Sequence, residues 1–348
     1  MLYFILFLSF MLTIILTPIV IKLAFKIGAL DYPNDRKIHN KITPRLGGLS
    51  IYFSFCIGAM IMIPGAIHSS FILGSVIIVV IGILDDIYQL SAAYKFLGQL
   101  VSALLVTLMG GIQIEFINFP FGNQLEFGSF STPLTILWII VIINAINFID
   151  GLDGLAAGVS SIALFSITVM SSIQGNTYVM IISLILMVST LPFLLFNFHP
   201  AKVFMGDTGS MFLGYMIAIL SISGFKNITF ISLIVPIIIL GVPISDVFFS
   251  ILRRIIKKKP ITKPDKSHIH HCFLNLGFTH KQTVLVIYSI SMLFGLTGLV
   301  LSVSTIWVSL LILSCMLIFI ELIVERIGLI DKSYRPILRL IKLNERKE

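Results

Sequence analysis

Long apolar runs, each broken by a short polar segment, repeat along the whole chain. About 20 apolar residues cross a bilayer as a helix. By that rule the pattern predicts eleven spans: Leu2–Leu23, Leu49–Ile63, Phe71–Leu84, Phe96–Ile112, Pro133–Phe148, Leu155–Ile173, Tyr178–Leu195, Met211–Gly224, Phe230–Ile251, Val284–Val303 and Ile306–Ile323. Several are short for a full crossing. The first run has neither a basic start nor a small-residue cleavage site, so it reads as a permanent span rather than a cleaved signal. The turn-rich segment Gln113–Ser131 predicts a small hairpin.

Composition agrees with the pattern. Hydrophobic residues make up 57% of the 348 and charged residues 11%, against about 25% charged in an ordinary soluble domain. This excludes a disordered chain, a nucleic-acid binder with a solvated basic face, and nearly any soluble fold. The cysteines, Cys56, Cys272 and Cys315, form no CxxC pair, so no disulfide framework or zinc ribbon is indicated. The expected class is an all-α polytopic membrane protein.

The net charge of +8 then becomes a topology signal, because basic loops hold spans in orientation. An odd span count puts the termini on opposite faces. With the N-terminus outside and the C-terminus cytoplasmic, 23 of the 24 Lys and Arg residues (all but Lys226) fall inside. Glu115 and Glu126 fall outside, whereas all ten aspartates lie on or near the inside face. Acidic residues contribute little to orientation, so the aspartate-rich face reads as an active site on the cytoplasmic side. Residues 1–324 form one membrane domain, with inner loops near 26–46, 85–95, 149–154, 197–210 and 252–283. Residues 325–348 form a basic tail. There Ile337, Leu340 and Ile341, after Pro336, are spaced for a short helix on the membrane surface; a frayed anchor is an equal alternative.

Five polar groups stand out. Asp85 and Asp86 close the third span, and Lys95 opens the next; adjacent carboxylates at a helix end repel unless a cation or a phosphate-bound metal is near. Asn144, Asn147, Asp150 and Asp153 follow one another at intervals of three, which places them on one face of a helix. Such groups are costly in a lipid-embedded helix unless they serve something, and their oxygens are hard ligands suited to Mg²⁺. A capping turn is the plainer alternative. Asp207, within Phe204-Met-Gly-Asp-Thr-Gly-Ser210, is a metal-ligand candidate or an N-cap. His268, His270 and His271 suit phosphate binding or proton transfer; zinc would need further ligands. Lys37 and Arg45 in the first inner loop suit phosphates or serve as topological anchors. Asp246, within the ninth span and seven residues before Arg253, reads as a structural charge pair, with a catalytic role as the alternative.

Together these groups suit a phosphoryl group with Mg²⁺, chemistry that is mostly positioning and charge neutralisation. The segments GILDDIYQLSAAYK, NAINFIDGLDGLAAG, FMGDTGS and DKSHIHH, preceded by DYPNDRKIH and PRLGG, occur in order along almost the whole chain. In them the chain resembles the polyprenyl-phosphate N-acetylhexosamine-1-phosphate transferases. The resemblance implies attack by a lipid-borne phosphate on the β-phosphate of a UDP-sugar, with UMP leaving. It implies Mg²⁺, with Mn²⁺ as a substitute, on Asp207 with Asn147 beside it. Asp85 and Asp86 would lie at the lipid phosphate, with Lys95 on the phosphates. A phosphate monoester is already largely dianionic at pH 7 (second pKa about 6), so a general-base role for Asp85 stays open. Asp150 and Asp153 match the nucleotide-side segment; His268, His270 and His271 match the His motif that meets the sugar nucleotide. Asp85, Asp86, Asp207 and His270 are the catalytic candidates.

The peptidoglycan branch of that family is expected to have ten spans and three consecutive histidines. Eleven spans and His-Ile-His-His are similar instead to the branch that uses UDP-N-acetylglucosamine and undecaprenyl phosphate to start teichoic acid or O-antigen type polymers. Gln89 stands where the family's acidic motif carries a third acid. A homodimer is compatible with the resemblance, and no nucleic-acid partner is expected. The rival classes are an ion-coupled transporter, whose site would lie near the midplane in repeat-related broken helices, and a lipid-phosphate hydrolase.

Overall fold

The computed structural model describes residues 1–32, 42–63, 69–118, 124–224, 230–258, 268–330 and 334–339. Lys37, Leu340 and Ile341 lie outside these. The chain is built of α1 (Leu2–Ile27), strands β1 (Leu30–Asp31) and β2 (Thr43–Pro44), α2 (Gly48–Met62), α3 (Ser69–Tyr88) and α4 (Ala92–Leu104). Next come strands β3 (Phe116–Asn118) and β4 (Gln124–Glu126), α5 (Ser131–Ile149), α6 (Leu155–Ile173), α7 (Thr177–Thr190) and α8 (Leu194–Asn197). The rest are α9 (Gly206–Gly224), α10 (Phe230–Ile239), α11 (Gly241–Ile256), α12 (Ile269–Asn275), α13 (His280–Val303) and α14 (Ile306–Ile327). In hydrocarbon every backbone polar group must find a partner inside its own segment, which makes apolar runs helical. The hydroxyls inside these helices obey the same rule. Thr17, Ser161, Ser183 and Thr190 each donate to the carbonyl four residues back.

Each of the eleven predicted apolar segments is helical over most of its length. Among the described residues, eight helices are long and apolar enough to cross a membrane; α2 is apolar but has only 15 residues. The chain is therefore a polytopic membrane protein. Helix α9 sits in the middle of the bundle, buried along nearly its whole length, with α2, α3, α5 and α6 packed around it. At the other extreme, α14 is largely exposed.

Two departures from the sequence pattern have local causes. The predicted run Phe230–Ile251 divides at Leu240 into α10 and α11. Pro243 occupies the third position of α11, where its missing N–H leaves no helical bond unmade, and the chain turns through Leu240 at φ −92° and ψ 20°. The fourth span ends in a π-helical turn, Leu105–Met109. The predicted hairpin is present: β3 pairs antiparallel with β4, Phe116 opposite Glu126. At the other end of the bundle β1 and β2 pair, Leu30 opposite Pro44. In the tail, one helical turn is described at 336–339.

Candidate active site

The last turn of α3, the first turn of α4 and the first turn of α9 meet at one end of the bundle. A Cβ on Gly82 would lie 2.4 Å from the Thr208 Cα, so only glycine lets α3 approach the start of α9 this closely. Gly206 opens α9 at φ +73°, and a Cβ there would strike the Arg45 carbonyl and the Asp86 carboxylate.

That approach brings carboxylate oxygens of Asp85, Asp86 and Asp207 within 4.8 Å of one another, all three buried. Asp86 has a structural task. Its Oδ1 accepts from the Asp207 N–H at 2.9 Å, and its Oδ2 from the Thr208 N–H at 3.1 Å and the Thr208 hydroxyl at 2.7 Å. A carboxylate from α3 thus caps α9, where the helix dipole favours negative charge. Lys95 Nζ donates to Asp85 Oδ2 at 2.9 Å and Asp207 Oδ2 at 2.6 Å. Arg45 approaches Asp31 at 3.7 Å, Asp86 at 3.6 Å and Asp207 at 3.8 Å. Burial works against the Arg45 charge, but these acids hold its pKa above the usual value.

Two cations therefore bridge three buried carboxylates. The site also fits a divalent ion. Its donors are hard oxygens, and Asp85 Oδ1 is buried with no hydrogen-bond partner among the described residues. Lys95 stands where the Asp85 and Asp207 oxygens converge.

Helix α5 supplies the adjoining wall. Asn147 Nδ2 donates to Ser210 Oγ at 2.9 Å, one turn along α9 from Asp207. Asn144 donates to Gln99 Oε1 at 2.7 Å and is turned toward α4. Asp150 ends α5; burial first, then the charges of Asp207 and Asp86, push its carboxyl well above the usual range. Asp153 faces a different group. Its Oδ2 accepts from His199 Nδ1 at 2.8 Å and the Ala201 N–H at 3.0 Å, and its own N–H donates to His280 Nε2 at 3.0 Å. His199 and His280 stack with centroids 4.1 Å apart.

The His motif opens α12. His268 Nδ1 donates to Asp246 Oδ2 at 2.8 Å, and Asp246 Oδ1 caps the helix through the Ile269 N–H at 2.7 Å. Asp246 is thus tied to the His motif, not to Arg253, whose guanidinium donates to the Leu329 carbonyl. His270 is buried against Gly151, where a Cβ would lie 2.4 Å from its Nε2. Burial, with the neighbouring histidine charges, pulls its pKa well below the usual value. His271 stacks beside it at 4.3 Å.

Sequence reasoning did not single out Gln99, Asn197, His199 or His280, and it took Ser210 only as the end of the Phe204–Ser210 segment. They are single polar residues in apolar or loop surroundings. Asn197 was the most findable: it is buried, accepts from the Gly154 N–H and donates to the Val203 carbonyl, joining two of the motif loops.

The bundle and this cluster define a class: a polytopic membrane protein with a polar, charge-dense centre at one end. The family model described as glycosyl transferase family 4 matches residues 68–225. The chain is 48% identical over 338 residues to the probable undecaprenyl-phosphate N-acetylglucosaminyl 1-phosphate transferase of Bacillus subtilis (strain 168), covering 96% of this chain and 94% of that protein. It is 34% identical to the decaprenyl-phosphate N-acetylglucosaminephosphotransferase of Mycobacterium leprae, covering 78% and 76%. It is 27% identical to the undecaprenyl-phosphate alpha-N-acetylglucosaminyl 1-phosphate transferase of Escherichia coli (strain K12), covering 76% and 74%. The chain belongs to glycosyl transferase family 4.

Proposed function

We propose that the protein transfers N-acetylglucosamine-1-phosphate from UDP-N-acetylglucosamine to undecaprenyl phosphate. An oxygen of the lipid phosphate forms a bond to the β-phosphorus. The bond from that phosphorus to the bridging oxygen breaks, and UMP leaves with the electron pair. The product is undecaprenyl-diphosphate-N-acetylglucosamine, which would start a surface polymer of the teichoic acid type.

The observation that carries the reading is the Asp85–Asp86–Asp207 cluster bridged by Lys95 and Arg45. Phosphoryl transfer needs little covalent help and much charge neutralisation, and this cluster is a store of balanced charge. Mg²⁺, or Mn²⁺ in its place, would be held by Asp207 with Asn147 and would neutralise charge on the diphosphate. Lys95 exchanges its carboxylate partners for phosphate oxygens as substrate enters. Asp85 lies at the acceptor phosphate, with its unpaired oxygen available to the ion. Asp86 keeps α9 and Asp207 in register. Asp150 and Asp153 line the nucleotide side, Asn144 supports the substrate site from α5 through its bond to Gln99, and Gly151 lets His270 approach that loop. His268 and His271 meet the sugar diphosphate, with Lys37 and Arg45 toward its phosphates.

The basic residues favour eleven spans with the N-terminus outside and this site facing the cytoplasm, where sugar nucleotides are found. One membrane domain, 1–324, carries the site, followed by the basic tail. A homodimer of this protomer is compatible with the reading.

The test is UMP release by purified protein with undecaprenyl phosphate and Mg²⁺. UDP-N-acetylglucosamine and UDP-N-acetylmuramoyl-pentapeptide are offered separately. Release with the first alone supports the proposal. Release with the second alone assigns the peptidoglycan reaction, and release with neither returns the transporter reading.

A further inference from the structure

His199, in the loop before α9, and His280, the first residue of α13, both bond to Asp153, one at its carboxylate and the other at its backbone. His199 Nδ1 donates to Asp153 Oδ2 at 2.8 Å, and the Ala201 N–H donates to the same oxygen at 3.0 Å. The Asp153 N–H donates to His280 Nε2 at 3.0 Å. The two rings stack on each other, 23° from parallel. Carboxylate and backbone of one residue are thus fixed together. Asp153 Oδ1 makes no hydrogen bond among the described residues.

Stability alone does not call for this arrangement. Helix α13 starts on a complete capping box between Thr279 and Gln282, so His280 is not needed to begin it. The loop is anchored one residue further on, where the Gly154 N–H donates to Asn197 and the Gly154 carbonyl accepts from the Tyr288 hydroxyl. With Nε2 accepting, a neutral His280 carries its proton on Nδ1, which is buried without a hydrogen-bond partner among the described residues. A buried donor left unpaired works against stability. The three side chains bring ligand atoms within 4.8 Å of one another, but His199 Nδ1 and His280 Nε2 already serve Asp153 as hydrogen-bond partners.

We propose that His199 and His280 are positioning residues for the sugar nucleotide. They hold Asp153 so that its second oxygen can accept an N–H or O–H of the uridine. A carboxylate locked before the substrate arrives loses less freedom on binding, so the benefit falls on donor affinity rather than on the phosphoryl transfer. The inference rests on the nucleotide-side reading of Asp153 and deepens it.

The experiment exploits which ring nitrogen each histidine uses. An asparagine amide reaches the place of an imidazole Nδ1, and a glutamine amide the place of Nε2. UMP release by the purified full chain with Mg²⁺ is measured against UDP-N-acetylglucosamine at saturating undecaprenyl phosphate, and then the reverse. His199→Gln and His280→Asn should each raise the KM for the sugar nucleotide by about 10-fold. His199→Asn and His280→Gln should stay within about threefold of wild type. In all four, kcat and the KM for undecaprenyl phosphate should move by less than about threefold. The Kd for UMP, from titration calorimetry, should follow the same order. A general packing loss would not separate Asn from Gln in opposite senses at the two positions, and if one position tolerates no replacement the pair at the other decides. Equal donor KM values for Asn and Gln, or equal rises in both KM values, would overturn the inference. A wild type that turns over no UDP-N-acetylglucosamine would fail the functional reading instead. The UMP series would then decide the inference alone, an unchanged Kd in His199→Gln and His280→Asn overturning it.

Discussion

The carboxylate of Asp86, at the end of α3, accepts the backbone N–H of Asp207 at the start of α9, 2.9 Å away. Two aspartates 121 residues apart in sequence thus hold unlike positions. One fixes the helix start; the other presents its side chain to Lys95. Asp85, the neighbour of Asp86, keeps one oxygen without a hydrogen-bond partner among the described residues.

This division separates stability from turnover. Asp86→Ala removes a buried cap and should destabilise the protein by about 1–3 kcal/mol, read as a lowered Tm, with activity lost alongside. Asp85→Asn and Asp207→Asn should leave the Tm close to wild type while UMP release falls at least about 100-fold. Normal Mg²⁺-dependent turnover by Asp207→Asn would remove the metal assignment.

Lys95 occupies the point where an ion would meet Asp85 and Asp207. Lys95→Ala should therefore lower kcat by about 100-fold or more while leaving the Mg²⁺ concentration for half-maximal rate equal or lower, since a competing cation is gone. A sharply raised Mg²⁺ requirement would show that Lys95 helps to build the ion site rather than competing for it.

Asp246 orients His268 and caps α12. Carboxylates that orient a metal-ligating histidine contribute about 10–100-fold, and a comparable factor is expected where Asp246 orients His268. Asp246→Ala should raise the KM for the sugar nucleotide by about that factor, with the KM for undecaprenyl phosphate little changed, and Asp246→Asn should restore part of the loss. Equal damage to both KM values would reduce Asp246 to a packing role.

His270 is buried, and its pKa is held well below the usual value. A group whose folded pKa is depressed contributes stability above its unfolded pKa, about 6.5 for histidine. That stability is lost as pH falls from there toward the folded value. The Tm of the wild type should fall on going from pH 7.5 to about pH 5.5. His270→Gln should flatten that slope, and parallel curves for the two proteins would count against it.

The membrane class and most helix positions were legible in the sequence, because hydrocarbon leaves the backbone one economical solution and apolar length reports it directly. The polar motifs were equally legible, since Asp, Asn and His beside apolar runs are too costly to stand there by chance. Asp246 shows the limit. Its spacing suggested Arg253, but the two lie about two turns apart on α11, and the placement of α12 gave it His268. His199, in the loop before α9, and His280, at the first position of α13, met Asp153 without any periodic signal to link them. The different tasks of Asp85 and Asp86 were hidden for the same reason. Adjacent residues on a helix point about 100° apart, and only the packing of α9 decided which of them would cap it.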